Sequence, residues 1–568
     1  MPTTADLDLP PHDPARILAA PFPERVRLLC RTWASQAHAT PFVVIALYWV
    51  KYLLLYIGGW AFFVSFSKGS APIGEWAFSA AAFQKAVLWS IFYELAGFGC
   101  GMGPMNGRFS PPLGGFLHFL RPGTTKLSLV PALPLFGGIR RTGFDVALYA
   151  ATQILLLRAL VAPEVTPALL LPCFVLIPLL GVADKTLFLA ARAEHYYVAL
   201  VCLTVASADA LWISACKVLW CAIWFWAATS KLNDHFPSVI LVMMNNGPFF
   251  PKWLKRRLFV AYPDDLRPSA LAATMARMGT LTEYMIPVLL LLTSQSPLLT
   301  AAMLFVMAGF HGFIALNNPS GMPIEWNILM IYGGIFLFGF HPEASVLAVG
   351  QLPWLCAFLF FCLVVVPCFG NFVPARVSFL LSMRYYAGNW AYNVWLFRKG
   401  STAKLAKLTK AAGTMREQLE KLLPDATSVE MALALSLSHR FMHLEGRPLL
   451  EALPRAVDDI DDYEWIDGEV LGGMVLGWNF GDGHLNGALL LDAVQRQCGF
   501  EPGELRVVTV ESQPLFGRTM RWQILDAADG VLEEGETAIA PMRALQPWPA
   551  GAHAEALLRG RSGANATS

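Results

Sequence analysis

Charge is what this sequence has little of. Asp, Glu, Lys and Arg make up 15% of its 568 residues, whereas a soluble domain uses about a quarter to cover its surface. The acidic residues are also segregated, most of them falling after position 400. A net charge of +1 and a pI near 7.6 provide no basic field, which excludes nucleic acid as a partner. None of the ten cysteines forms a CxxC pair, and most sit in apolar runs. That excludes a disulfide framework and a cysteine zinc site, and leaves small buried hydrophobes. Residues 1–39 are polar and proline-rich without the apolar core of a signal peptide, so the first transmembrane helix is expected to direct insertion itself. There is no internal repeat and no low-complexity tract, and the missing repeat weighs against a transporter.

What the chain does have is apolar length. Hydrophobic residues reach 55% and mean hydropathy is +0.49. Crossing the hydrocarbon takes roughly 17 to 25 residues. Runs of that kind lie near 41–66, 76–98, 143–162, 167–183, 186–207, 209–230, 279–295, 299–316, 325–341 and 351–371. Arg192, Glu194 and His195 interrupt the fifth. The expected fold is an all-α polytopic membrane bundle of about ten transmembrane helices with a small α+β soluble C-terminal domain. Its expected divisions are an N-terminal segment at 1–39, a transmembrane domain at 40–371, interfacial and connecting helices at 372–455, the α+β domain at 456–550 and a disordered tail at 551–568.

Lys and Arg set the orientation. One set of segments carries Arg16, Arg25, Arg27 and Arg31, then Arg108, Arg121, Lys126, Arg140 and Arg141, then Lys185 and Arg192. The same set continues with Lys231, Lys252, Lys255, Arg256, Arg257, Arg267 and Arg277. The alternate segments offer little beyond Lys68 and Arg158. Both termini are therefore expected in the cytoplasm, with the chain multi-pass in a bacterial inner membrane.

Two inner loops are longer than a connection requires. Residues 99–142 are rich in Gly, Pro and aromatics, and should lie against the bilayer or dip back into the protein. Residues 232–278, with Trp253, Lys255, Arg256 and Arg257, look amphipathic and interfacial. Further on, 401–423 places Leu405, Leu408, Met415, Leu419 and Leu422 on one helical face. Such a helix suits anionic lipid or the soluble domain equally well. Residues 506–540 alternate as short strands with turn signals such as Asp529-Gly530, which predicts an antiparallel sheet.

A charge in the bilayer core costs a few kcal/mol or more, so each of Lys85, Glu94, Glu194, His195, Lys217, Glu283, His311 and Glu325 needs a reason to be there. Snorkelling or a carboxylate partner accounts for Lys85 and Lys217, a loop arginine for Glu94, and helix-packing hydrogen bonds for a lone His311. The set His195, Lys231, Glu283, His311, Asn317 and Asn318 says more, since successive helices can bring it to one cavity. A lysine in a dry pocket can serve as a base near neutral pH, and a histidine can steady a developing anion or relay the proton. That chemistry suits an apolar substrate arriving from the lipid.

The same segments resemble the membrane domain of the vitamin K-dependent gamma-carboxylase superfamily, including its horizontally transferred bacterial relatives. Asp184-Lys185-Thr186 with Glu194-His195-Tyr196-Tyr197 is similar to that family's histidine before a Tyr-containing helix. FWAATSKLNDHF at 225–236 is similar to its small-residue run ending in Lys-Leu. Phe310-His311 through Gly321-Met322-Pro323 is similar to its Phe-His helix and Gly-Met-Phe-Pro turn. The resemblance covers about residues 180–340. It implies a catalytic base at Lys231 and an assisting histidine at His195, with a quinol as the group acted on. The family's large peptide-binding domain has no counterpart here. Over its whole length the chain also resembles a bacterial transmembrane family defined only as a domain of unknown function.

The first functional expectation is thus a membrane-embedded, carboxylase-like or oxidoreductase-like enzyme abstracting a proton from a quinol or other lipid-soluble small molecule. Lys231 and His195 would be catalytic, with Glu283, His311, Asn317 and Asn318 in the substrate pocket. The second is a non-catalytic scaffold or assembly factor whose cytoplasmic domain docks a protein partner. Gly481-Asp482-Gly483-His484 reads first as a turn, and His439, His443 and Glu445 lack the HExxH order of a zinc helix, so no metal is expected.

Overall fold

The computed structural model describes residues 13–36, 42–69, 71–99, 114–206, 208–317, 323–478 and 482–549. The expected tail at 551–568 and Asn318 lie outside them. Helices dominate. Among the described residues, six are long and apolar enough to cross a membrane: Ile45–Lys68, Gly143–Val161, Asp209–Ser230, Ala270–Leu292, Pro297–Asn317 and Pro353–Phe372.

The other four expected spans are shorter. Ala80–Leu95 has 16 residues, Pro167–Ala183 has 17, and Ile324–Gly334 continues only to Phe340. The fifth breaks into Lys185–Ala190 and Tyr196–Val205, with Arg192 at φ 50° between them. A non-glycine residue in the left-handed region cannot continue a right-handed helix. The clustered charges that weakened this span in the sequence mark where its helix ends.

Local chemistry explains the helix starts. Ser269 accepts from Ala272 N to cap Ala270–Leu292, and Thr142 forms a capping box with Asp145 before Gly143–Val161. The bundle closes through aromatic stacking. Phe83 lies against Phe336 at 4.5 Å and against Trp212 at 5.7 Å between ring centres. Gly333 lets Trp220 approach so closely that a Cβ would sit 2.4 Å from the indole.

The described part of the loop at 99–142 folds back onto the protein. Lys126 pairs with Asp145 at 2.7 Å and Arg141 pairs with Asp184, all four buried. Asp184 also accepts from Leu127 N and Thr186 N. The segment at 401–423 is not one helix. It divides into a tight turn at Ser401–Lys407 and a helix at Met415–Leu419, because Thr414 and Glu417 form a capping box that starts the helix afresh. Leu405, Leu408 and Leu419 are buried against the protein, whereas Leu422, from the same expected face, is 69% exposed.

After the β1–β2 hairpin (Phe259–Ala261 and Asp265–Pro268), five strands form an antiparallel sheet: β3 (Tyr392–Arg398), β4 (Tyr463–Asp467), β5 (Leu505–Val510), β6 (Thr519–Asp526) and β7 (Gly530–Ala538). Their order is β4-β3-β5-β6-β7. The hairpin read at Asp529-Gly530 is present, with Gly530 at φ 81°. Strand β3 comes from the segment expected to hold connecting helices. Its two faces belong to different cores: Tyr392, Val394 and Leu396 pack with the helices Ala426–Met442 and Leu449–Ala456, while Trp395 and Phe397 join a core continuous with the membrane bundle. The sheet is therefore welded to the helices that precede it.

Candidate functional site

Where the membrane helices meet the soluble domain they enclose a cavity of about 590 Å³. Lys231, Glu283, His311 and Asn317 line it from the membrane side, and His439, Arg440, His443 and Glu469 from the soluble side.

Lys231 closes the C-terminus of Asp209–Ser230, its N–H bonded to Ala228 O at 3.1 Å. Its Nζ donates to Glu283 Oε2 at 2.5 Å, and both side chains are only 4% exposed. The rings of Phe236 and Phe310 each lie 5.4 Å from Nζ, so two aromatic faces and one carboxylate hold the ammonium.

His311 is oriented from both sides. Trp224 Nε1 donates to its Nε2 at 2.9 Å. An indole can only donate, so the proton of the neutral ring must be on Nδ1. That nitrogen faces Asn327 Oδ1 at 2.9 Å, and Asn327 in turn donates to Pro323 O at 2.9 Å. The chain of bonds fixes one tautomer. Asn317 donates to Phe313 O within its own helix.

The soluble wall is an ionic cluster. Arg440 donates to both oxygens of Asp467 at 2.6 and 3.0 Å and to Glu469 at 2.9 Å, and its guanidinium lies 4.5 Å from the Tyr392 ring. Burial works against the Asp467 charge, but Arg440 outweighs it and holds the carboxyl below its ordinary range. At Glu469 burial prevails over Arg440 and raises the carboxyl. Burial, reinforced by Arg440, pushes His439 down to about 4, and His443 is likewise driven well below the usual imidazole range. Both imidazoles are neutral at physiological pH.

His195 is placed differently. It is not among the cavity-lining residues; its ring stands edge-on to Trp220 at 4.7 Å, and neither ring nitrogen has a partner. It belongs to a second buried group. There Arg192 stacks 3.1 Å over Trp326 and bonds Glu194 at 2.5 Å and Tyr386. Trp326 also donates to Glu94 at 2.5 Å. Trp326 and Tyr386 line the cavity as well, so they form the partition between the two groups.

Trp224, Asn327, Arg440 and Glu469 were not anticipated from sequence. Arg440 carried a usable signal, a lone guanidinium inside LALSLSHRFM with His439 and His443 one turn apart. Asp482 accepts from Ser378 Oγ and from His484 N, the local bond of an Asp turn. His484 Nε2 pairs with Glu511 at 2.8 Å. Among the described residues no group of three or more His, Cys, Asp and Glu side chains is placed to hold a metal ion.

No curated protein and no solved structure matches the chain. A family model matches residues 4–556, so the chain belongs to the family described as transmembrane protein of unknown function, DUF3556.

Proposed function

We propose that this protein is a membrane-embedded enzyme in which Lys231 and Glu283 transfer a proton from a lipid-soluble substrate held in the cavity. The observation that carries the reading is the pair itself, an ammonium and a carboxylate desolvated together on the wall of a cavity lined mostly by apolar side chains. An ammonium cannot accept a proton, so Lys231 acts as a base only through Glu283. Substrate entry loosens the pair, and Glu283 takes the proton from Lys231. The free amine then removes the O–H proton of a quinol or similar acid. The new anion is left beside a restored ammonium, and the net charge of the site does not change. His311, held with its Nδ1 proton toward Asn327, presents a fixed wall to the substrate.

The carboxylase-like resemblance supports Lys231 in this role and assigns His195 an assisting one. His195 stands outside the cavity lining, against Trp220, so any part it plays is indirect, as a positioning group. Alternation of Lys and Arg along the chain supports about ten crossings with both termini in the cytoplasm, and the resemblance to a bacterial transmembrane family supports an inner membrane as the location.

The test is Lys231→Arg in a complemented deletion strain. Arginine can keep the ion pair and the fold, but it holds its proton at any working pH. Loss of function with thermal stability unchanged is expected. Full function would reject proton transfer and leave a scaffold.

A further inference from the structure

The cavity reaches the outer surface between two apolar helices. Met278 lines it and is also 55% exposed. It lies nine residues into Ala270–Leu292, about 12 Å from the helix start at 1.5 Å per residue. This helix and its neighbour Pro297–Asn317 are among the most exposed of the candidate spans. Met278, Gly279 and Thr282 flank the cavity from one, Phe310 and Ile314 from the other. A Cβ built on Gly279 meets nothing within 4 Å. Met278 and Gly279 directly follow Arg277 and precede the apolar run of this helix, so the exposed surface here lies where lipid headgroups give way to chains. The gap between these helices is therefore a side door.

What stands beside the door is cationic. The cavity-lining helix Phe236–Asn246 leads within six residues to Lys252–Arg257, whose sequence KWLKRR has four basic residues and no acid. Trp253 and Phe249 are about half exposed there, at 54% and 50%, and Lys255 Nζ returns to Asn245 O at 2.8 Å, tying the basic turn to the lining helix. Arg277 adds an exposed cation next to Met278. Half-exposed aromatics with clustered Lys and Arg sit at the headgroup level and attract anionic lipid.

We infer that an anionic lipid enters the cavity sideways between Ala270–Leu292 and Pro297–Asn317, with its headgroup on the basic turn and its chain in the Met278–Gly279 slot. Lipid entry goes beyond the proposed chemistry and does not depend on it, since the headgroup stays on the basic turn and only the chain reaches the cavity. Unlike zwitterionic lipid, an anionic headgroup gains from the four cations, so the route selects before the site does.

The experiment uses the full-length protein in vesicles containing a phosphatidylglycerol with a photoreactive diazirine in its chain. Labelling of wild type is expected at 275–283 and 310–314, and to be competed by phosphatidylglycerol but not by phosphatidylcholine. Arg257→Gln with Arg277→Gln should weaken phosphatidylglycerol competition by about tenfold, since each surface cation contributes to headgroup attraction. Gly279→Trp should remove the label by filling the slot. Label confined to outward residues such as Leu298 and Phe305, or equal competition by both lipids, would overturn the proposal. The wild-type labelling decides the matter even if Gly279→Trp fails to fold. Label in the slot together with a functional Lys231→Arg would sink the proton-transfer reading and keep the side door. No label with a dead Lys231→Arg would do the reverse.

Discussion

Single residues in this protein are held by partners that can be removed one at a time. Asn327 is the acceptor for the only N–H of His311. Replacing it by leucine strands a buried donor, and we expect a loss of about 1–3 kcal/mol, read as a lower unfolding temperature in detergent. Asn327→Asp keeps an acceptor and should lose less. His484 gives a pH signature. Burial opposes its charge, but Glu511 more than compensates and raises it, while His484 takes Glu511 down to about 2. The histidine's contribution is complete below about pH 6.5 and disappears as pH rises through its raised value; the carboxylate's is complete above about pH 4.5 and fades only toward pH 2. Stability from this pair is therefore greatest between those limits. Wild type should lose more melting temperature than His484→Gln between pH 6 and 9. At this scale the sequence was legible for Lys231, Glu283 and His311, since charges in apolar runs announce themselves. Trp224 and Asn327 carry no such mark, because one is apolar by type and the other sits in an ordinary helical position.

At the scale of elements, the Ala426–Met442 helix is fixed to β4 by Arg440 and Asp467. Removing one member of a buried pair leaves the other uncompensated, at a cost of about 3–5 kcal/mol. Arg440→Met should therefore be far more damaging than Arg440→Met with Asp467→Leu. Equal melting temperatures for the single and double variants would refute the coupling. Gly477 sits at φ 79° with His118 so close that a Cβ would lie 2.3 Å from the ring. Gly477→Ala should destabilise the protein through both strain and clash. The hairpin of β6 and β7 could be read beforehand because alternation and an Asp-Gly turn are local signals. Strand β3 could not. Buried on both faces, it shows the apolar run VWLF instead of alternation, and its partners β4 and β5 lie far along the chain. The 401–423 segment shows the opposite failure, a helical face in the letters that a capping box at Thr414 divides.

For the whole molecule the topology is testable without a substrate. A reporter fused after Ser568 should be active only in the cytoplasm, and one inserted at Pro163 only on the far side. The reverse pattern would invert the assignment. Hydropathy alone does not separate the six long apolar helices from a 17-residue helix with internal Pro172 and Pro178 and a span broken at Arg192.

The shared lining of the cavity has a consequence for biosynthesis. Residues near 223–330 supply one wall and residues 385–469 the other. The second wall is seated by β5 and β6, whose Val508, Val510, Trp522 and Ile524 complete its core, and by Phe22–Gln36, whose Val26 and Trp33 join the same core. A nascent chain paused after its last membrane helix would carry Lys231 and Glu283 in an open cleft. That cleft becomes an enclosure only when Phe22–Gln36 and the strands β5 and β6 have been brought together behind the second wall. The chemistry proposed for this cavity would thus be withheld until these distant parts of the chain have met.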